Sequence, residues 1–281
     1  MELNNKTILV TGSTDGVGRV VAERLGAGGA RVLVHGRDES RGKATVAAIE
    51  AKGGKAEFLP ADLASLAEVR RLAEAVRART DRLDVLINNA GVGTGGQAAS
   101  RQVSADGYEL RFAVNYLAGF LLTSELLSLI KASAPARIVN VASAGQQAID
   151  FDDAMLTHGY SGVLAYCQSK LAQILFTIDL AEQLDGTGIT VNALHPASYM
   201  DTTMVRQAGV TPWSSVETGA DAILNLATSP ALEGRSGRYF DGQRESRADA
   251  QAYDEKARRR LRALSLELIG QSSATSREKH S

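Results

Sequence analysis

Short apolar and β-branched runs alternate along the chain with longer segments of helical period. Strand-like runs fall at residues 7–10, 31–35, 56–59, 85–88, 137–141, 190–194 and 237–239. Helical patterns lie between them, at 18–25, 40–51, 66–79, 107–131, 166–184 and 216–227. The strand runs are apolar at nearly every position, not at every second one. Such strands are buried on both faces, as parallel sheets require. Their alternation with helices predicts βαβ units and a doubly wound α/β fold. No repeat and no Pro/Gly/Ser-rich linker splits the chain, so a single domain over 1–270 is expected. Two segments break the rhythm: an insertion at 146–162 and an excursion at 197–215. Long loops in compact domains are usually functional or disordered, and both are read as substrate loops. A last helical pattern at about 248–269 precedes a polar tail, 271–281, expected to be flexible.

Composition narrows the function classes. The 281 residues carry 31 basic and 32 acidic side chains, a net charge of −1. A nucleic-acid partner would call for a basic surplus, so none is expected. At 44% hydrophobic and 22% charged, the chain is too apolar to be disordered. One Cys excludes an intramolecular disulfide and a multi-cysteine zinc site. The four His lack HExxH spacing, and no metal is expected. Residues 1–6 begin no signal-peptide pattern, and apolar stretches such as 117–122 fall short of the roughly 20 residues that span a bilayer. The expectation is a soluble, cytoplasmic protein with no membrane partner.

Thr11-Gly12-Ser13-Thr14-Asp15-Gly16-Val17-Gly18 follows the first strand and opens the first helix. Gly12 permits a tight turn. Gly16 and Gly18 allow a pyrophosphate close to the backbone, and the helix N-terminus offers amide donors. The spacing is GxxxGxG, not the usual GxGxxG. An acidic residue at the end of the second strand would bind a ribose 2′-hydroxyl. Here His35 and Gly36 lead to Arg37, which suits a 2′-phosphate. NADP is therefore favoured, with NAD as the alternative and a solvated turn as the plain reading of Arg37. Asp62-Leu63, past the third strand, can meet an adenine amino group or cap the next helix, a role that Ser65 fits better. Asn88-Asn89-Ala90-Gly91 ends the fourth strand; its small residues allow close approach of a ribose, and its amides can tie strands together.

Tyr166 and Lys170 stand four apart on one helix face. An ammonium and the positive ring of an oxidised nicotinamide would each favour tyrosinate. Tyr166 can then exchange a proton while hydride moves to or from a cofactor. Ser143, just past the fifth strand, can bond a carbonyl oxygen or merely cap a turn. Asn115 sits within a helical pattern where Asn is unfavourable; it can bond backbone, hold a water, or simply be exposed.

In the order Asn115, Ser143, Tyr166, Lys170, with TGxxxGxG at 11–18 and NNAG at 88–91, the chain resembles the classical short-chain dehydrogenase/reductase family over about residues 6–240. The resemblance implies a Rossmann-type doubly wound parallel sheet in the order 3-2-1-4-5-6-7. It implies NAD(P)-dependent oxidation of alcohols or reduction of carbonyls, and a homodimer or homotetramer. It makes Tyr166 the general acid/base and Lys170 the group that holds the nicotinamide ribose. Ser143 orients the substrate together with Tyr166, and Asn115 supports a proton relay. Cofactor contacts are implied for residues 12–18, Arg37, Asp62, Leu63, Asn89, Ala90, Gly91, Tyr166, Lys170 and Pro196. The family commonly has Pro-Gly and then Thr after the sixth strand. Here Pro196 is followed by Ala197, and Thr202 is the expected nicotinamide contact, with Thr203 next to it. Phe151-Asp152-Asp153, residues 164–172 and Arg258-Arg259 resemble the retinol dehydrogenase-like branch, whose reductive members usually prefer NADP.

Other residues weigh less. Cys167 points about 100° around the helix from Tyr166 and is read as packing. His195 is read as structural, and His158 as a candidate for the substrate mouth. Ile149, Phe151, Met155, Leu156, Met204 and Trp213 form a candidate apolar lid or else core. The arginines at 258–260 and 262 are read as a solvated helix face. A non-catalytic nucleotide sensor on the same fold is the alternative function. An extended-type sugar-nucleotide enzyme fits the glycine spacing and the short C-terminal part less well.

Overall fold

The computed structural model describes residues 2–96 and 100–271. In chain order the elements are β1 (Thr7–Val10), α1 (Gly16–Ala27), β2 (Arg31–Gly36), α2 (Glu39–Glu50), β3 (Lys55–Pro60), α3 (Leu66–Arg79) and β4 (Val85–Asn88). A π-helical turn, Phe112–Leu117, runs into α4 (Ala118–Ala132). Then come β5 (Ala136–Val141), α5 (Gly162–Gln183), β6 (Ile189–His195), α6 (Thr203–Gln207), α7 (Val216–Thr228), β7 (Tyr239–Asp241), β8 (Arg244–Ser246) and α8 (Glu255–Leu268). The sheet order is β3-β2-β1-β4-β5-β6-β7-β8, parallel except for antiparallel β8.

The continuous apolar runs have a simple cause. Leu9, Leu33, Leu86 and Ile138 face a core shared with α3, α4 and α5. Their neighbours Ile8, Val10, Val32, Val85 and Val139 face the other core, under α1 and α7. Helices cover both faces, so apolar residues fill most strand positions in the sheet centre, and buried exceptions such as Asn88 and Asn140 bond each other at 2.9 Å. Parallel pairing aligns Val10 with Val34 and with Ile87, so the strand ends open into one crevice.

The expected strand order is observed, with β8 added at the edge. β8 consists of Arg244, Glu245 and Ser246, all exposed, and has no apolar pattern to announce it. β7 begins two residues later than expected because Gly237, at φ +73°, still belongs to the turn. α5 starts at Gly162, not Tyr166, capped by Ser161, whose Oγ accepts from Leu164 N. The last helical pattern divides at Asp254, which caps α8 after a 3-10 turn. Of the tail 271–281, only Gln271 lies among the described residues.

Two further readings change. The arginines of α8 are not simply solvated. Arg258 pairs with Glu182 at 2.7 Å and Arg262 with Asp179 at 3.2 Å, both on α5. Arg260 pairs with Asp152 of the insertion. Tyr116 Oη meets Ser265 Oγ at 2.6 Å, so α8 seals the aromatic cluster of Tyr116, Phe120 and Phe176. Residues Phe112–Ala132 form one helix of 21 residues, long and apolar enough to cross a membrane, which the 117–122 run understated. Most of it is buried in the fold, and its apolarity matches a core helix.

Candidate active site

The crevice is built first by glycines. Gly12 and Gly16 adopt φ +64° and +51°. A Cβ on Gly18 would lie 2.3 Å from the Gly12 carbonyl oxygen and from Asn89 Nδ2, so only hydrogen fits. Asn89 Nδ2 donates to Thr11 O at 2.8 Å, and Thr11 Oγ1 accepts from Asn89 N and Ala90 N, both at 3.0 Å. The NNAG turn is thereby laced to the glycine turn. Ser13 is turned inward, donating to Val10 O at 2.7 Å and accepting from His35 N at 3.0 Å. Thr14 packs over Gly36, and Asp15 accepts from Arg41 at 3.2 Å. His35 matters more than the sequence suggested. Its Nδ1 accepts from Gly12 N at 3.1 Å, and burial pushes its pKa down to about 4, keeping the ring a neutral acceptor.

The far end of the crevice is polar. Arg37 and Asp62 approach at 3.8 Å and, with Pro60, Ala61, Glu68 and Arg71, line an open cavity of about 480 Å³. Asp62 Oδ1 accepts from Ala64 N at 3.0 Å, while Ser65 caps α3 as expected. Leu63 is buried.

The four residues of the chemical end converge. Gly91 lies beneath Asn115 and Lys170: a Cβ there would be 3.2 Å from Asn115 Oδ1 and 3.6 Å from Lys170 Nζ. Asn115 is buried in the π-helical turn, a common distortion at functional sites. It accepts from Val92 N at 2.7 Å and donates to Ser169 Oγ at 2.9 Å. On the other side, Gly145 separates Ser143 from Tyr166: its Cβ position is 3.5 Å from Ser143 Oγ and 3.7 Å from Tyr166 Cε1. Burial raises the Tyr166 phenol above its ordinary value, against a Ser143 hydrogen bond that lowers it. Burial pushes Lys170 down to about 7. The protein groups thus raise Tyr166, where the YxxxK spacing predicted a fall. Cys167 also faces Gly145, and burial pushes its thiol up, in keeping with packing.

After β6, Pro196 is buried and Ala197 avoids positive φ; the strain falls instead on Tyr199, at φ +46°. Thr202 caps α6 and places Cγ2 3.3 Å from the Gly16 Cβ position, while Thr203 is exposed. Met204 packs on Gly93, and the exposed rings of Tyr199 and Trp213 meet edge to face at 5.1 Å. The insertion departs from the lid reading. Ile149 and Leu156 are buried in the core, and Phe151 lies under the Arg260 guanidinium at 5.1 Å. His158 points to solvent beside Asp153. Sequence reasoning missed Glu109, Arg111 and Tyr160. Arg111 donates to Gly93 O (3.0 Å), Thr94 O (2.8 Å) and Tyr160 Oη (2.6 Å), beside buried Glu109. Charged residues in a helical pattern read as surface; only the fold shows them inside.

A doubly wound sheet with a glycine turn at one end of its crevice and Ser, Tyr and Lys at the other defines a dinucleotide-dependent oxidoreductase. The sequence profile of the short chain dehydrogenase family matches residues 6–212, and the chain belongs to that family. It is 39% identical to retinol dehydrogenase 13 of Mus musculus over 289 residues, covering 94% of this chain and 84% of that one. It is 37% identical to retinol dehydrogenase 14 of Homo sapiens, covering 95% and 87%. The RhlG/NADP active-site complex of Pseudomonas aeruginosa superposes with a TM-score of 0.69 at 31% identity, over 85% of this chain and 95% of that one. The protein is an oxidoreductase acting on alcohol and carbonyl groups of a small-molecule substrate, in the retinol dehydrogenase-like branch.

Proposed function

We propose that the protein is an NADP-preferring reductase or dehydrogenase for a largely apolar carbonyl or alcohol, with Tyr166 as the acid/base. The observation that carries this reading is the convergence of Ser143 and Tyr166 across Gly145, with Lys170 and Asn115 beside Gly91. A nicotinamide cofactor fits the crevice: Gly12 and Gly16 hold the turn at positive φ, and Gly18 lets α1 pack against Gly12 and Asn89, so the amide donors at the N-terminus of α1 stand at the strand ends where a pyrophosphate binds. When bound, it supplies or accepts the hydride. Ser143 Oγ donates to the substrate oxygen, and the Tyr166 phenol gives that oxygen a proton in reduction or takes one in oxidation. Lys170 and Asn115 hold the cofactor side of the pocket and the proton path. The buried walls exclude water.

NADP is favoured over NAD because β2 ends in His35 and Gly36, neither of them acidic, and Arg37 follows with a guanidinium that suits a 2′-phosphate. Structural neighbours such as the RhlG/NADP complex and the landomycin C-6 ketoreductase LanV hold bound NADP. The apolar substrate class is supported by Tyr199, Met204 and Trp213 at the crevice mouth and by relatives named for retinol. The cytoplasmic and homo-oligomeric readings rest on sequence and family likeness; cell fractionation and light scattering test them.

The decisive test uses all-trans-retinal and NADPH as probes. Tyr166→Phe is expected to lower kcat by at least about 100-fold, the range of general acid catalysis, with NADPH affinity retained. Undiminished turnover in that variant overturns the mechanism. Titrating NADPH against NADH tests Arg37; tighter NADH binding overturns the cofactor preference.

A further inference from the structure

Lys170 is held by more than its own helix. Its Nζ donates to Val141 O at 2.9 Å and to Gln173 Oε1 at 3.0 Å. An ammonium has three N–H groups, so these two bonds leave one. Gly91, whose Cβ position is 3.6 Å from Nζ, offers no side chain on the crevice side to take it.

Gln173 is a conspicuous residue for its place. It is 4% exposed, and its neighbours Leu171, Ala172, Ile174 and Leu175 are fully buried. An amide in such surroundings is costly without a partner. The partner its oxygen has is Lys170. The backbone at this point is also fixed. Gln173 O accepts from Thr177 Oγ1 at 2.7 Å, Thr177 Oγ1 accepts from Asn140 Nδ2 at 2.8 Å, and Asn140 Oδ1 accepts from Asn88 Nδ2 at 2.9 Å. This buried chain ties α5 to β5 and β4 directly behind Lys170.

We propose that Gln173 is a positioning residue for Lys170: with the Val141 carbonyl it fixes the amine and leaves one N–H directed into the crevice. The proposal rests on reading Lys170 as an active-site group. An amide oxygen stabilises the charged amine more than the neutral one, so Gln173 opposes the burial that lowers the Lys170 pKa. Two other ionisable groups face Lys170. They are Tyr166 on α5, with its ring centroid 5.7 Å from Nζ, and His195 at the end of β6, whose pKa Lys170 lowers after burial and against Asp241.

The test follows the Lys170 13Cε resonance with pH in the full chain, assigned with Lys170→Met. Gln173→Leu is expected to move the Lys170 midpoint down by about one pH unit, the scale of one charge-assisted hydrogen bond. Gln173→Glu, which keeps the volume and adds a carboxylate, is expected to move it up. Thr177→Val breaks the neighbouring bond without touching Lys170, and is expected to lower Tm and leave the midpoint in place. With all-trans-retinal and NADPH, the alkaline limb of kcat/KM should move down with the midpoint in Gln173→Leu. An unmoved midpoint in both Gln173 variants overturns the proposal, as does an equal shift in Thr177→Val. If the wild-type protein reduces no carbonyl, the proposed function falls, while the titration still reads the Gln173–Lys170 link.

Discussion

The two long loops of the crevice, 146–162 and 197–215, look alike in sequence and are built on opposite principles. The insertion is bound to the rest of the fold at many points. Gln251 brackets Ile149, accepting from its N at 2.7 Å and donating to its O at 3.1 Å. Gln168 reaches Ala148 O, Arg101 reaches Met155 O, and Arg111 reaches Tyr160. Its apolar side chains go inward. The excursion bonds mainly to itself: Trp213 N donates to Tyr199 O, Asp201 N to Ser214 O, and Arg206 grips Asp201. Its large apolar side chains stay outside, Trp213 at 74% exposed. One loop is bonded into the wall; the other is held mainly by its own bonds and presents its rings to solvent. Apolar content alone does not distinguish a lid from a core; the partners of the backbone do.

The largest test of this contrast is Arg111→Met. It removes the Arg111–Tyr160 link between the insertion and the segment after β4, and leaves Glu109 buried without its cation. Loss of one partner of a buried pair costs about 3–5 kcal/mol. Urea unfolding should show that drop, and a loss below 1 kcal/mol would mean that the insertion is held without this network.

A second test uses acid. Asp153 accepts from the backbone N–H groups of Thr157 and His158, which holds its pKa down to about 2. A carboxyl with a lowered folded pKa stabilises above its unfolded value near 4, and that contribution is lost as pH falls through about 2. The turn at 153–158 should therefore keep its hydrogen-exchange protection at pH 5 and lose it between pH 4 and 2. In Asp153→Asn that pH dependence should vanish, which exchange measured at the Thr157 and His158 amides can check.

How far this contrast was legible in the sequence depends on the kind of signal. The doubly wound class followed from short apolar runs between helical patterns, the crevice from glycines at the end of the first strand, and the strand order only from the family resemblance. Helix period puts Tyr166 and Lys170 on one face, because i and i+4 are neighbours there, but their roles came from the family resemblance. Arg111 and Glu109 were not legible: charges in a helical pattern look like surface, and their burial depends on Tyr160, about 50 residues away. Gln173 stands three residues after Lys170, a spacing that shares a helix face, but its burial, which makes the pairing count, depends on tertiary packing. β8 escaped because three exposed polar residues carry no period. The lid was half legible, for both loops carry apolar side chains, and only tertiary contacts send Ile149 inward and leave Trp213 outside.

The finest test separates the roles of the excursion's two aromatic residues. Tyr199 is a non-glycine residue at φ +46°, a conformation that costs on the order of 1 kcal/mol or more. Its ring returns about 0.5–1.5 kcal/mol through the edge-to-face contact with Trp213. Tyr199→Gly removes both terms, so its stability should lie within about 1 kcal/mol of wild type. Trp213→Ala removes only the contact, and should lower stability by no more than about that contact's worth. If these rings exist to receive an apolar ligand, both variants should raise KM for all-trans-retinal several-fold, with kcat and NADPH affinity unchanged. The same substitutions should leave KM for a small carbonyl such as acetaldehyde untouched, because a ligand that short has no apolar tail for the exposed rings to receive. Equal effects on the long and the short substrate would make the excursion a structural brace like the insertion, and the contrast between the two loops would collapse.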